Sequence, residues 1–445
     1  MHSFYRLNLL RKALKKTVCY ALFPVLSLVS SSLTTVYAQA PATQASTASA
    51  IPLYPMTQVD EKNHLGYFGD PYPVRVAPWT APFLPQYFSG TTAELMTCTR
   101  PIKPGCFETS PVTVTIADDL KAKASDAKNE FFDQINRNIY QTDDGQWNMA
   151  VTLYLRKTSA PKTTLEGTWT VIAHAHPDTQ CTITTPTSWV VDKILVGSVE
   201  KSAKANYDGK YFEDGKKLYL IYSKREKGTV HDGIVAQALT SPADLDSTDP
   251  VWLLAPSTVD GGFNSEYFHI NWAEGGPNAD FKLIETGNIT KIAGKYVMAY
   301  STGDYQQLNY KTGIAYSDTL LPKEGEMYRR ILQTDTDGVW GKPGHLEVRY
   351  LLQSDKPAWT NYVGTQVYAP GVPSVVEEPS GEFFLYFDGF LPGNAPPATI
   401  EPALSHDPSY RRPFYVPITV KVPVNGSVEA ATDEELATWI TVRNK

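Results

Sequence analysis

Residues 283–305 read LIETGNITKIAGKYVMAYSTGDY, in which two apolar, β-branched runs are separated by Ala293-Gly294-Lys295. This pattern predicts a β-hairpin, because two runs of strand-forming residues flank a short turn that contains glycine. Glu285 does not fit the hairpin, since a carboxylate is disfavoured at the start of a strand that is otherwise apolar. The stretch therefore predicts a sheet, and it marks Glu285 as a candidate functional residue.

The plan of this hairpin recurs along the chain. Residues 208–245 and residues 288–320 each contain a Gly-Lys turn, an aromatic strand that ends in Tyr-Ser, and a strand with Ile or Val before Ala. A third copy covers residues 375–388, and an earlier copy with insertions covers residues 143–176. Repeated β-meanders favour the blades of a propeller, and an ordinary β-sandwich is the alternative, because its hairpins can look alike.

The remaining sequence indicates an all-β, mainly antiparallel fold. Short strands alternate with turns rich in Gly, Asp, Asn and Pro. Residues 117–138 have a helical pattern over their length, and residues 433–442 fit a short terminal helix. No glycine-rich phosphate loop follows a strand, and strands do not alternate with helices as they do in parallel α/β proteins. We therefore expect one inserted helix near residues 117–138.

The N-terminal residues resemble a secretory signal peptide. Several basic residues precede an apolar run at 18–29, and Ala38 closes a small-residue cleavage site. An uncleaved N-terminal anchor is the alternative. We expect a signal peptide at 1–38, a disordered linker at 39–50 and a single domain at 51–445, which places the mature protein outside the cell or in a periplasm, with no membrane contact after the signal is removed.

Composition limits the classes of partner and the metal chemistry. The net charge is −7 without a long basic run, which argues against a nucleic-acid partner, whereas 12% aromatic residues fit a protein that binds carbohydrate. Export permits disulfides, and Cys98 and Cys106 bracket one short loop, so we predict that they pair and that Cys181 is left over. His174, His176 and Asp178 lack another well-spaced ligand, and we predict no metal site there.

Three motifs occur in an order that resembles the five-bladed β-propeller glycosidases of glycoside hydrolase family 43. They are GDPYPVR at 69–75, YDGKYFEDGK at 207–216, and the opening stretch with TGIAYSDTL after it. Together these motifs span residues 64–420, nearly the whole predicted domain. The resemblance implies a five-bladed propeller, and a secreted enzyme that hydrolyses arabinofuranosyl or xylosyl linkages with inversion.

The resemblance also implies three catalytic carboxylates. Asp70 would be the general base, Asp208 would modulate the pKa of the acid, and Glu285 would be the general acid. An inverting glycosidase needs its acid and base roughly 6.5–9.5 Å apart, and strands from separate blades can provide that gap. Asp70 and Asp208 also fit ordinary turn positions. Candidate substrate-binding residues in neighbouring loops are Trp79, His231 and Trp272.

Two departures from the family pattern bear on function. Thr286-Gly287 follows the candidate acid where the family has Gly or Ala and then Pro, and Val372 replaces the histidine that helps to hold a central cation. We therefore expect that no cofactor is required, and the family's structural calcium is in doubt. The expected partner is a carbohydrate and the expected state is a monomer. A non-catalytic carbohydrate-binding propeller and a fructan-active propeller glycosidase are the alternatives.

Overall fold

The computed structural model describes residues 54–56, 71–76, 86–89, 94–98, 106–162, 167–179, 185–201, 205–227, 229–256, 263–267, 281–305, 307–336, 343–354, 367–378, 380–390 and 411–443. The predicted signal peptide at 1–38 and the linker at 39–50 lie outside these residues, as do Asp70, Trp79, Cys181 and Trp272.

The described residues are mostly strands. In chain order these are β1 (Tyr54–Pro55), β2 (Pro71–Pro73), β3 (Arg75–Val76), β4 (Gln86–Ser89), β5 (Glu94–Cys98), β6 (Phe107–Pro111), β7 (Thr113–Ile116), β8 (Asn129–Gln141), β9 (Trp147–Lys157), β10 (Thr168–Pro177), β11 (Ser188–Val196), β12 (Asn206–Asp214), β13 (Lys217–Arg225), β14 (Asp232–Ser241), β15 (Asp244–Leu245), β16 (Val251–Leu254), β17 (Ile284–Ile292), β18 (Lys295–Thr302), β19 (Lys311–Ser317), β20 (Arg329–Arg330), β21 (Leu332–Thr334), β22 (Leu346–Val348), β23 (Leu352–Gln353), β24 (Tyr368–Glu377), β25 (Phe383–Phe390), β26 (Arg412–Val420) and β27 (Ile440–Val442). The helices are α1 (Asp118–Asp126), α2 (Asp433–Trp439) and a 3-10 turn at Asn264–Glu266.

Within the described ranges these strands form an all-β propeller. Sheet I has the order β2-β4-β5-β6, sheet II β3-β8-β9-β10-β11-β7, sheet III β12-β13-β14-β15 with β16, sheet IV β17-β18-β19-β20 with β23, and sheet V β24-β25-β26-β1 with β27. In sheets II to V the strands that follow one another in sequence pair antiparallel as meanders. Four blades are defined in the part of the chain that the structure describes, one fewer than the five expected from the sequence.

The opening stretch forms the predicted hairpin, β17 and β18. Ala293 and Gly294 have φ angles of 50° and 80°, as a two-residue hairpin turn of type I′ requires. Alternate side chains of the hairpin then face the neighbouring sheets: Ile289 packs in a cluster shared with sheet III, and Val297 in one shared with sheet V. The core therefore lies in layers between adjacent blades, which leaves the innermost strands around the middle of the propeller.

The helix predicted over residues 117–138 is wrong beyond Asp126. Helix α1 ends there, Lys128 adopts a left-handed φ of 59°, and residues 129–141 form β8, the strand next to β9 in sheet II. Ile135 and Ile139, four residues apart, look helical in the sequence. Pairing with the buried β9 decides the conformation instead, because tertiary context outweighs a weak local preference.

The innermost strands of sheets II to V share one irregularity. In each of these strands the pairing is interrupted where two consecutive residues lie opposite a single residue of the neighbouring strand, which is a β-bulge. The first of these two residues has a positive φ angle of 49–59° in all four strands, namely Asn136, Asp208, Thr286 and Val372. Two of the sequence-predicted site residues, Asp208 and Glu285, lie at this bulge or directly before it.

The disulfide and the helices complete the described fold. Cys98 in β5 and Cys106 directly before β6 form the predicted disulfide, which joins two paired strands of sheet I. No helix in the described ranges is both long enough and apolar enough to cross a membrane.

Candidate active site

Asp208 connects three neighbouring sheets. Its own N–H donates to Thr152 Oγ1 of sheet II over 3.1 Å, and its carboxylate Oδ2 accepts the N–H of Thr286 of sheet IV over 3.2 Å. The side chain is buried, with 1% of the residue exposed. A turn residue would normally be exposed, so the bulge turns Asp208 toward the middle of the propeller rather than toward solvent.

Burial raises the pKa of Asp208, because a carboxylate loses hydration when it leaves water. Lys210, the N–H of Thr286 and the hydroxyl of Ser223 oppose that rise. The Lys210 ammonium donates to the backbone oxygen of Asp208 over 3.3 Å and lies 4.5 Å from the centre of the Tyr72 ring. Asp208 is thus a buried acid whose charge state depends on a few fixed neighbours.

Glu285 is the residue directly before the bulge in β17, opposite Ser301 of β18. It is buried, with 1% of the residue exposed, and its Oε1 accepts a hydrogen bond of 2.8 Å from the Tyr310 hydroxyl. Burial, and next the Glu285 charge, raise the pKa of Tyr310 well above its ordinary value, so this phenol keeps its proton. The carboxylate that stood out in the sequence therefore has a dedicated donor.

Asp208 and Glu285 lie close to each other. The peptide that follows Glu285 donates its N–H to Asp208. In addition, burial, then Asp232, Glu285 and Asp208 in that order, raise the pKa of Tyr207, so all three carboxylates act on one phenol. The two candidate residues Asp208 and Glu285 are thus brought together by the fold, although nothing local in the sequence determines their separation.

The sequence did not predict that Tyr207, Asp232 and Arg225 form one group. The Tyr207 hydroxyl donates to Asp232 Oδ2 over 3.1 Å, and Arg225 forms an ion pair with the same carboxylate through both of its oxygens. Burial raises the pKa of Asp232, and Arg225 opposes that rise. Tyr207 holds in β12 the position that Glu285 holds in β17, directly before the bulge. That equivalence was the one signal available, and it becomes visible only after the repeats are aligned on the bulge.

His231 borders this group from the loop before β14. Its Nδ1 accepts the N–H of Lys282 over 3.0 Å, so the neutral ring carries its proton on Nε2. Burial and the Lys282 charge lower the pKa of His231, which favours that neutral form. The Asp232 N–H donates in turn to the Lys282 carbonyl oxygen, which ties this loop to the segment that leads into β17.

The candidate metal ligands of sheet II bind separate partners. His174 bonds Asp192 through Nδ1 and Asn148 through Nε2, His176 bonds the carbonyl of its neighbour Pro177, and Asp178 accepts from a serine. Among the described residues no three His, Cys, Asp or Glu side chains are grouped as a metal would need.

The bulge of sheet V differs from those that carry the acids. Val372 occupies its first position, and its N–H donates to Ser301 Oγ over 2.7 Å. A valine side chain has no atom that can bind a cation. The residue at this position therefore does not fit the central cation that the sequence resemblance implies.

Comparison with known proteins supports the fold. No protein-family model and no curated protein matches the chain. Among solved structures, the α-L-arabinofuranosidase from Lactobacillus brevis superposes with a TM-score of 0.54 at 14% identity, covering 81% of this chain and 96% of its own. A thermostable family-43 glycoside hydrolase gives 0.50 at 16% identity, with coverages of 88% and 96%. An exo-1,5-α-L-arabinanase from a bovine ruminal metagenomic library gives 0.51 at 15% identity, with coverages of 87% and 99%.

At these identities the similarity establishes the fold alone. The chain has a β-propeller fold like that of glycoside hydrolase family 43.

Proposed function

We propose that this protein is a glycoside hydrolase that uses carboxylates at the centre of a propeller. The observation that carries the proposal is the convergence of Asp208 and Glu285, two buried acids on the innermost strands of adjacent sheets, joined through the Thr286 N–H. Burying two neighbouring carboxylates destabilises a fold, since each loses hydration and each repels the other, so such a pair is expected where function requires it. Acid–base catalysis is a function that requires such an arrangement.

In the proposed mechanism Glu285 is the general acid. It gives its proton to the glycosidic oxygen as the bond from that oxygen to the anomeric carbon breaks. Asp208, whose carboxylate accepts the N–H of the residue that follows the acid, would disfavour ionisation of Glu285 and so help it to keep its proton. A water molecule attacks the anomeric carbon from the opposite face and passes a proton to the general base, which inverts the configuration.

Asp70 is our candidate for that base, on sequence grounds. It lies outside the described residues and directly precedes β2 in the sequence. Strand β2 packs against β8 of sheet II and against β24 of sheet V, and the Tyr72 hydroxyl accepts a hydrogen bond from the bulge residue Asn136 over 3.3 Å. The strand that follows Asp70 is therefore next to the bulges, which supports this role.

The same contacts support a five-bladed ring. Sheet I has four antiparallel strands in the order β2-β4-β5-β6, and its first strand packs between sheets II and V, the first and last of the other four. Counting sheet I as the first blade gives five blades, with the N-terminal β1 paired to β26 in the last of them. A propeller closed by its N-terminal strand leaves no open edge at the join.

We propose arabinofuranosyl or xylosyl linkages as the substrate class. Structures with this fold include an arabinofuranosidase and an arabinanase, which supports arabinofuranosyl linkages, and the motif resemblance is the ground for including xylosyl linkages. His231, neutral with its proton on Nε2, would donate to a sugar hydroxyl. Trp79 and Trp272 are proposed stacking platforms for sugar rings and lie outside the described residues. We further propose that the reaction needs no cofactor, that residues 1–38 direct export and are then removed, and that the domain at 51–445 is a monomer.

The test is hydrolysis by the exported chain of arabinan, xylan, fructan and 4-nitrophenyl pentosides, assayed for reducing ends and for nitrophenol. Wild type should release pentose or pentose oligomers, and Asp208→Asn should lose most of that activity. Asp214→Asn is the matched control, because Asp214 ends the same strand and pairs at the surface with Lys291. Sugar binding without turnover by wild type, or full activity of Asp208→Asn, would contradict the proposal.

A further inference from the structure

We propose that Tyr310 is a positioning residue, which holds the Glu285 carboxyl in the orientation that proton donation requires and sets the pH at which that carboxyl loses its proton. This inference rests on the proposed role of Glu285 as the general acid. It adds to that role a residue from a different strand, which the sequence motifs do not contain.

The contact itself is short and protected from water. The Tyr310 hydroxyl donates to Glu285 Oε1 over 2.8 Å, and each of the two residues is 1% exposed. In such a site water does not readily replace a lost donor, and a hydrogen bond to a charged group is stronger than one between neutral groups. The other carboxylate oxygen, Oε2, would then be the one that faces a substrate.

The ring of Tyr310 is held by groups from sheet V. The Arg411 guanidinium lies 5.2 Å from the ring centre and forms an ion pair with Asp388 beneath it. Gly371 leaves the space for the ring, since a Cβ added there would lie 1.9 Å from Tyr310 Cε1. Gly371 holds in β24 the position that Glu285 holds in β17, so the tyrosine ring occupies the place where sheet V would otherwise present a side chain.

Neighbouring hydroxyls direct the proton of Tyr310. Ser301 Oγ accepts the Val372 N–H over 2.7 Å and lies 2.6 Å from Thr286 Oγ1. Ser301 also opposes, as a hydrogen-bonding neighbour, the rise in the pKa of Tyr310 that burial and the Glu285 charge cause. When Thr286 donates to Ser301, the Ser301 proton is free to point at Tyr310, and the Tyr310 proton then points at Glu285.

A donor to a carboxylate favours its ionised form. Replacing Tyr310 by Phe keeps the ring and removes the donor, so the pKa of Glu285 should rise. The other charged and titratable groups that face this pair stay in place, and they are Asp208, Tyr207 and Asp232 of sheet III, Tyr305 of the loop before β19, and Asp388 and Arg411 of sheet V. Because the general acid must be protonated, the alkaline limb of the rate profile should move to higher pH by about one unit.

The experiment compares kcat and kcat/KM from pH 4 to 9 for wild type and Tyr310→Phe, on an alkyl pentoside and on a 2,4-dinitrophenyl pentoside. We expect the shifted alkaline limb, and a fall in kcat of about tenfold or more for the alkyl substrate alone, since only that leaving group needs a well-placed acid. Tyr328→Phe is the control. It removes an equally buried hydroxyl of the same blade, which donates to the Leu320 carbonyl, and it should leave the profile unchanged.

The outcomes separate the two proposals. An active wild type with the same profile in Tyr310→Phe would overturn the role of Tyr310 and leave the glycosidase assignment intact. A wild type inactive on every pentoside would overturn both. If Tyr310→Phe does not fold, Gly371→Ala displaces the ring instead and should shift the limb in the same direction, whereas an unshifted limb would again reject the proposal.

Discussion

Gly287 is the residue whose replacement tests the bulge beside Glu285 most sharply. A Cβ added at Gly287 would lie 2.6 Å from Ile234 Cδ1 and 3.0 Å from Ile234 Cγ2, against the 3.4–4 Å of ordinary van der Waals contact. Overpacking of this kind costs about 1–3 kcal/mol. We therefore expect Gly287→Ala to lower the free energy of unfolding by about 2 kcal/mol, and to lower activity because the Thr286 N–H that holds Asp208 is in the same bulge.

The distances also predict a rescue. Ile234→Val removes Cδ1, the atom in closest contact, and alone costs about 1 kcal/mol. In the double variant the worst overlap is gone, so the combined loss should be about 1 kcal/mol smaller than the sum of the two single losses. The assay is urea unfolding followed by circular dichroism, with the slope against urea checked for a change in the unfolded state.

Gly209→Ala provides the matched control. Gly209 follows the bulge residue of β12, and its added Cβ would meet Ile172 Cγ2 at 2.7 Å rather than Ile234. The free energy of unfolding lost in the double variant Gly209→Ala with Ile234→Val should equal the sum of the two single losses within about 0.5 kcal/mol. Additivity for Gly287→Ala and Ile234→Val as well, or no destabilisation by Gly287→Ala, would refute the packing argument.

Two further perturbations concern the scaffold. Burial lowers the pKa of Lys311 to about 7, against the opposing charges of Glu266 and Glu347. The unfolded chain keeps that proton up to a higher pH, so the free energy of unfolding of wild type should rise relative to that of Lys311→Met between pH 7 and 9. The expected rise is up to about 1.4 kcal/mol per pH unit, measured by urea unfolding at each pH. A difference between the two proteins that does not change with pH would contradict this. Replacing Cys98 and Cys106 by serine should cost about 2–3 kcal/mol, because the disulfide closes a short loop, and an unchanged urea midpoint would count against that.

Local chemistry explains what could be predicted from the sequence. The hairpin of β17 and β18 follows from two apolar runs and a glycine-containing turn, all within about 20 residues. Glu285 was identifiable because it interrupts an apolar strand, whereas Asp208 fits an ordinary turn position and became a candidate through the motif resemblance alone. The helix over 117–138 failed beyond Asp126 because β8 is determined by its pairing with β9, which a local pattern does not contain.

The rest of the site depends on contacts between distant residues. Tyr310 reaches Glu285 across 25 residues, and Arg411 reaches the backbone of Tyr305 across 106. The four bulges share a conformation without sharing a residue type, since their first positions hold Asn, Asp, Thr and Val. Thr286-Gly287 looked like a departure from the family pattern, and in the fold this pair is the bulge that supplies an N–H to Asp208.

The most direct test of the central claim is the dependence of Glu285→Gln on the leaving group. The amide keeps the size of the carboxyl and cannot donate a proton to the glycosidic oxygen. Hydrolysis of alkyl pentosides should fall by about 10²–10⁴-fold, while hydrolysis of 2,4-dinitrophenyl pentosides, whose leaving group departs unprotonated, should be far less affected. Glu382→Gln, an exposed acid that pairs with Arg443, should behave as wild type. Equal losses on both substrates, or wild-type rates on the alkyl pentoside, would contradict the assignment of Glu285 as the general acid.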